Sequence, residues 1–201
     1  MGAAHPEPLI QPPFRSATVE DTGALSDFVE YASEGLALYL WSKLAGANRD
    51  PWSVGRERVG GETGGLSYRN AVITELAGRP AAGLICYPLP DKPEPIPDTL
   101  PVMLVPLQEL MHLAPGTWYV HVLAAYPEYR GKGLGAALLA LADRLAAAAG
   151  KRAVSLVVSD TNTGARRLYE SCGYWEAEQR KMVKEQWKHP GRYWVLLRKD
   201  L

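Results

Sequence analysis

The chain has 201 residues, 47% of them hydrophobic and 22% charged, with 22 Lys and Arg balanced by 22 Asp and Glu. That length and composition fit a globular domain with a sizeable core and exclude a disordered or fibrous chain, while a formal charge of zero offers no basic surplus for nucleic acid or an anionic membrane. No apolar run approaches the ~20 residues that span a bilayer, the opening MGAAHPEPLIQPP lacks the regions of a secretion signal, and two cysteines are too few for a disulfide framework or a zinc site, so a cytoplasmic protein is expected.

Residues 1–13 read as a flexible N-terminal tail and 14–201 as a single domain. FRSATVEDTGALSDFVEYA predicts a strand over 14–17 and then a helix opened by the capping-box pattern Thr18-x-x-Asp21, with Leu25, Phe28, Val29 and Ala32 on one core-facing stripe. A second helix is expected over 35–44; it is apolar on most sides, with Tyr39 and Trp41 adding bulk suited to burial or to lining a cavity. NAVITELAGRPAAGLICYPLP predicts a hairpin joined at Ala77-Gly78-Arg79-Pro80. Residues 88–116 are a Pro-rich insertion in which the prolines forbid a central strand and 107–113 suit a short helix; insertions of this length are more often functional than idle.

Trp118 to Ala125 reads as a strand, Leu134, Leu138, Leu141, Leu145 and Ala148 make one helical stripe, and 153–158 is strand-like again. This β-α-β unit implies two parallel strands with a right-handed crossover. Between its first strand and its helix stands Arg130-Gly131-Lys132-Gly133-Leu134-Gly135. Glycine weakens helix interiors, so these positions form either a plain turn or a backbone cradle where a helix N-terminus meets an anion. Farther on, NTGARRLYESCGYWEAE puts Ala165, Leu168, Tyr169 and Cys172 on one helical face, with Asn162 placed to cap the start and Gly173 the end. Taken alone, this helix needs no ligand: Leu168 packs and Tyr169 is an amphipathic core residue.

Together the two segments resemble the GCN5-related N-acetyltransferase (GNAT) family. Residues 162–174 match N-x-x-A-x-x-L-Y-x-x-x-G-[FY] at every position, and Arg130, Gly133 and Gly135 match [QR]-x-x-G-x-[GA], in the family's order. The resemblance runs over 14–201 and is thin in the insertion. It implies an α/β fold of mixed type, in which a central, mostly antiparallel sheet has a splayed parallel strand pair and helices on both faces. It also implies acetyl-CoA as co-substrate and no metal. Backbone N–H groups of Arg130, Gly131, Lys132, Gly133, Leu134, Gly135 and Ala136 would hold the pyrophosphate. Leu123, Ala124 and Ala125, on a strand that is bulged in the family, would pair with the pantetheine arm, and one of that strand's N–H groups would face the thioester oxyanion. Asn162, Ala165 and Tyr169 would complete the cofactor site.

The reaction so implied is direct attack of an amine on the acetyl thioester, because neither Cys86 nor Cys172 stands where a nucleophile is needed. Tyr169 occupies the family's general-acid position beside the departing sulfur. The family's usual carboxylate base is replaced by His121, whose unperturbed pKa of ~6.5 suits a base; Glu30, Glu34 and Glu75 are the next candidates. A base matters most for an alkyl amine of pKa ~10.4, whose free form costs about 4–5 kcal/mol at pH 7. A small-molecule primary amine is the expected acceptor, because the insertion and Tyr39, Trp41 and Trp52 suggest an enclosed pocket, and Asp91, Glu94, Asp98 and Glu109 give the insertion an acidic bias. Protein lysines or N-termini are the alternative acceptors, and a non-catalytic acyl-CoA sensor is the alternative role; a homodimer is left open. A Rossmann or P-loop nucleotide site fails, since the loop gives neither G-x-G-x-x-G nor G-x-x-x-x-G-K-[ST].

Overall fold

In the computed structural model, which describes residues 9–201, the elements run β1 (Phe14–Ser16), α1 (Thr22–Ser33), α2 (Leu36–Ala45), α3 (Pro51–Val59), β2 (Ala71–Leu76), β3 (Arg79–Pro88), α4 (Val105–His112), β4 (Trp118–Ala125), α5 (Leu134–Ala148), β5 (Ala153–Ser159), α6 (Thr163–Ser171), β6 (Trp175–Lys181) and β7 (Tyr193–Asp200). Residues 1–8 of the expected tail lie outside the described residues, and Ile10 packs against the core. The strands form one sheet in the order β1-β2-β3-β4-β5-β7-β6, antiparallel except at β4–β5.

Local chemistry accounts for the predicted elements. The Asp21 carboxylate accepts the Thr18 N–H at 2.8 Å and so caps the turn that leads into α1. Ala77 and Gly78 both take positive φ, 50° and 72°, as a two-residue hairpin whose turn must match the strand twist requires. Three elements went unpredicted, α3, β6 and β7, and for α3 the signal is present: Asp50 accepts the Trp52 N–H at 3.1 Å and Pro51 opens the helix, the usual N-cap and N1 pairing.

Period-two alternation sorts the sheet's side chains between two layers. Val72, Leu84, Leu156, Val195 and Leu197 face α5 and α6, whereas Ile73 and Ile85 face α1, α2 and α3. On β4 the alternation breaks. Val120 belongs to the α5 layer and Val122, two residues on, to the α1 layer. The register explains it: Cys86 pairs with Val120 and Ile85 with Val122, so His121 is an extra residue, a bulge that reverses the facing of everything after it.

The same strand opens the sheet. Pairing of β4 with β5 runs through Trp118↔Val154, Tyr119↔Ser155 and Val120↔Leu156 and goes no further, while β4 stays paired to β3 as far as Ala125↔Ala82. From His121 onward, therefore, the edge of β4 that looks toward β5 carries unpaired main-chain groups.

The insertion packs as a scaffold. Leu89, Met103, Leu110 and Ala114 form an apolar cluster with Leu36, Tyr119, Trp187, Trp194 and Leu196, which seats α4 against the β5–β7–β6 half of the sheet. Among the described residues no helix is long and apolar enough to cross a membrane.

Candidate active site

Where β4 and β5 part, a cavity of about 800 Å³ opens. Its floor is Val120, His121 and Leu123 to Ala125 with Leu156 to Val158, and its walls are the glycine loop, the start of α6 and the end of α1. At the loop, Gly131 and Gly133 take φ of 72° and 80°, a region that a side chain makes costly, and a Cβ built on either meets no protein atom within 4 Å. The first intrahelical bond of α5 is donated by Ala137 to the Gly133 carbonyl at 3.1 Å, so the N–H groups of Leu134, Gly135 and Ala136 precede it and remain free for a ligand, at the positive end of the helix dipole. Arg130 differs from expectation: its N–H is already donated to the Pro127 carbonyl at 3.2 Å. Its side chain bonds the Ala125 carbonyl through Nε at 3.1 Å and lies over the Tyr31 ring, which leaves the guanidinium as what it can offer an anion.

Two expected cofactor residues do other things as well. Lys132 does not line the cavity, and its Nζ sits over the Tyr129 ring. Gly135 has a packing reason to be glycine, because a Cβ there would come within 2.7 Å of Leu168 Cδ2, where α5 crosses α6. Leu123, Ala124, Ala125, Gly131, Gly133, Leu134, Gly135, Ala136, Asn162, Ala165 and Tyr169 all line the cavity, as does Arg130.

Tyr169, near the end of α6, is buried and faces the same cavity. Burial, and then the nearby Glu34 charge, hold its pKa well above the usual tyrosine value, so it keeps its proton at neutral pH. His121, pushed out by the bulge, reaches solvent through the cavity, and its Nδ1 lies 3.1 Å from the Tyr87 hydroxyl. The protein packed around the ring pushes its pKa down to about 4, so it is neutral at pH 7 and a weaker base than an ordinary histidine. If Nδ1–H donates to Tyr87, Nε2 is left as the acceptor.

Of the other candidate bases, Glu75 pairs with Arg15 at 2.6 Å and Glu30 accepts the Leu38 N–H at 2.8 Å, and neither lines the cavity. Glu34 does line it. It ends α1 with φ 53° and ψ 42°, a left-handed conformation uncommon outside glycine and asparagine, and is followed by Gly35 at φ 92°. One carboxylate oxygen accepts from Asn162 Nδ2 and the other lies 2.5 Å from His189 Nε2. Asn162 thus works with both ends, since its Oδ1 accepts the Ala165 N–H at 3.1 Å and caps α6.

Several expectations fail here. No residue of the 88–116 insertion lines the cavity; Asp91 pairs with Lys151 and Glu109 with Arg180. Tyr39, Trp41 and Trp52 do not line it either. Trp41 is buried against Gly55 and packs edge-on against Trp52 at 5.8 Å, which is core packing. Cys86, buried beside Trp118 with its pKa pushed up to about 11, and Cys172 both stay outside the cavity.

A family model described as the acetyltransferase (GNAT) family matches residues 38–174. The chain belongs to the GNAT family. The fold agrees with solved GNAT-type structures. A protein described as an acetyltransferase superposes with a TM-score of 0.62 at 22% identity, covering 93% of this chain and 98% of its own. An N-acetyltransferase from Staphylococcus aureus Mu50 gives 0.59 at 16% identity, covering 92% and 98%. A GNAT acetyltransferase from Elizabethkingia anophelis with acetyl-CoA bound gives 0.54 at 14%, covering 87% and 89%. A search by sequence against curated proteins finds no match. The GNAT family uses acetyl-CoA, and this cavity fits that molecule on its own features: free N–H groups at the start of α5, glycine positions open to a ligand, and an unpaired edge of β4 beside them.

Proposed function

We propose that this GNAT protein transfers the acetyl group of acetyl-CoA to a primary amine by direct attack in a ternary complex. The observation that supports it most is the join of two features in one cavity: an anion cradle at the start of α5 and a protonated tyrosine, Tyr169, deeper in. The pyrophosphate would lie against Gly131, Gly133 and the N–H groups of Leu134 to Ala136, with Arg130 alongside. The open edge of β4 from Leu123 to Ala125 would bond the pantetheine arm as an added strand does.

Bound acetyl-CoA supplies an activated acetyl group whose thiolate leaves. The chain supplies the rest. An N–H on the open edge of β4 faces the carbonyl oxygen as charge builds there. Tyr169 donates a hydrogen bond to the departing sulfur. Its pKa lies above the ~8.5 of a thiol, so complete proton transfer to the thiolate is uphill and hydrogen bonding carries most of the effect. His121, neutral and tied to Tyr87, is too weak a base to deprotonate a free ammonium group; it takes the proton, directly or through water, only as the nitrogen bonds to the acetyl carbon and its N–H turns acidic. With the insertion and the aromatic helix residues outside the cavity, enclosure does not favour a small molecule over a peptide, and the acceptor proposed is a primary amine of either kind.

The test is acetyl-CoA-dependent thiol release over amines, amino acids, polyamines, aminoglycosides and peptides. Amine-dependent release, with acetylated product, is expected. Tight acetyl-CoA binding without release for any amine would replace this reading with a non-catalytic acyl-CoA sensor.

A further inference from the structure

Glu34 and His189 come from opposite ends of the sequence. Glu34 stands in the α1–α2 connection and His189 in the β6–β7 connection. They meet at the cavity wall beside Asn162. His189 is almost wholly buried, with a side-chain exposure of 5%, and its ring stacks on Trp187 at 4.5 Å and 17°.

Its hydrogen bonds settle its charge. Nδ1 accepts the Gly191 N–H at 3.0 Å and so carries no proton, which places the single ring proton on Nε2, donated to Glu34 Oε2 at 2.5 Å. In this arrangement His189 is neutral. Asn162 is neutral too. Among the described residues no Lys or Arg lies within salt-bridge distance of Glu34, and the nearby Lys184 ammonium is taken by the His189 carbonyl at 2.6 Å.

Glu34 is thus a carboxylate fixed by two neutral donors, 23% exposed, with lone pairs left over and no cation against it. Among the described residues it is the one carboxylate lining the cavity, whose cationic side chain, Arg130, belongs to the glycine loop. Its left-handed backbone, which a carboxylate side chain does nothing to favour, argues that position 34 is held for what the side chain does. His189 and Asn162 together fix its orientation, and its remaining lone pairs can take a further donor from the cavity side.

Resting on the acetyltransferase reading, we infer that Glu34 is the recognition residue for the acceptor's ammonium group, oriented by His189 and Asn162, and that the acceptor therefore arrives as a cationic primary amine. Glu34 touches the substrate; His189 is a positioning residue that holds the carboxylate in the rotamer facing the cavity.

The experiment titrates the CoA-loaded protein with n-butylammonium chloride and, separately, with n-butanol, following the His189 ring and the Asn162 side-chain amide by NMR. The expected result is saturable shifts with butylammonium and none with butanol, lost at least tenfold in affinity in Glu34→Gln. His189→Gln, which keeps an N–H for Glu34, should bind nearly as the parent does, and His189→Leu should bind weakly. CoA affinity should stay within about twofold throughout. Equal butylammonium binding by parent and Glu34→Gln, equal response to butanol, or a parallel loss of CoA affinity would overturn the assignment. Thiol-release assays separate this from the wider reading. Absence of turnover by the parent with every amine refutes the transferase, while the titration still decides whether Glu34 receives an ammonium group.

Discussion

The two ends of the cavity are built differently. The end proposed for the cofactor is built on the open edge of β4 from Leu123, the glycine loop and the start of α5, one short stretch of chain, and much of it is backbone: an open strand edge, two left-handed glycines and the first turn of α5. The rest of the wall relies on side chains that meet only after folding: Glu34 from the α1–α2 connection, held from behind by His189 of the β6–β7 connection, and His121 from the β4 bulge, bonded to Tyr87 of β3. Backbone recognition demands particular residues at fixed spacing and leaves a motif. Side-chain recognition leaves single residues scattered along the chain.

Separate construction should give separable defects. The largest effect is expected from Gly133→Val. A Cβ there meets no protein atom, so the strain of φ 80° costs about 1–2 kcal/mol of stability and leaves a folded chain, while acetyl-CoA affinity falls by about 10²-fold or more through blockage of the cradle. Calorimetric titration beside thermal unfolding checks both. Next comes Tyr169→Phe. Turnover should drop by about 10²-fold at most, the low end for acid catalysis because thiolate is a tolerable leaving group, with acetyl-CoA affinity unchanged. A parallel loss of affinity would give the Tyr169 hydroxyl a part in holding the cofactor as well.

Gly135→Val sharpens the comparison from within the cofactor end. Its Cβ runs into Leu168, so the expected outcome is a loss of about 1–3 kcal/mol of stability from overpacking, and a Gly135→Val, Leu168→Ala double variant should recover part of it in denaturant melts.

At the far end the relevant variable is pH. His121 has a folded pKa near 4, below the ~6.5 of an unfolded histidine, so as pH falls from about 6.5 toward about 4 the unfolded chain takes up a proton that the folded chain does not. Folding stability should fall with pH across that window, and His121→Gln should flatten part of the fall. For the same reason His121 does not change charge between about pH 6 and 8. Any rise of turnover over that range should persist in His121→Gln and reports the amine. The smallest effect is expected from Asp91→Asn in the insertion, where an exposed carboxylate faces Lys151 at 3.5 Å: stability within about 0.5 kcal/mol and no change in acceptor KM.

How much the sequence disclosed follows the same division. The β4–α5–β5–α6 unit, its Gly loop and Tyr169 were readable because strand alternation, a helical stripe and a Gly-rich start are local signals. His121 was found as a position on a strand, but its depressed pKa and its Tyr87 partner depend on β3, which lies more than thirty residues earlier in the sequence. Glu34 entered only as one of three spare carboxylates. The sequence says that a helix ends near Gly35, not that the preceding carboxylate is held by His189, 155 residues away. Trp41 and Trp52 were misplaced for the opposite reason: an aromatic stripe reads the same whether it lines a cavity or, as here, fills a core beside Gly55. The prolines of 88–116 announced an insertion but carried no information about which half of the sheet α4 would cover.

The most direct test of the division is one set of calorimetric titrations of acetyl-CoA into the parent, Gly133→Val and Glu34→Gln, each checked for folding by thermal melt. The account predicts that the parent and Glu34→Gln bind alike while Gly133→Val binds weaker by about 10²-fold or more. Equal binding by Gly133→Val, or loss of binding in Glu34→Gln, would contradict it.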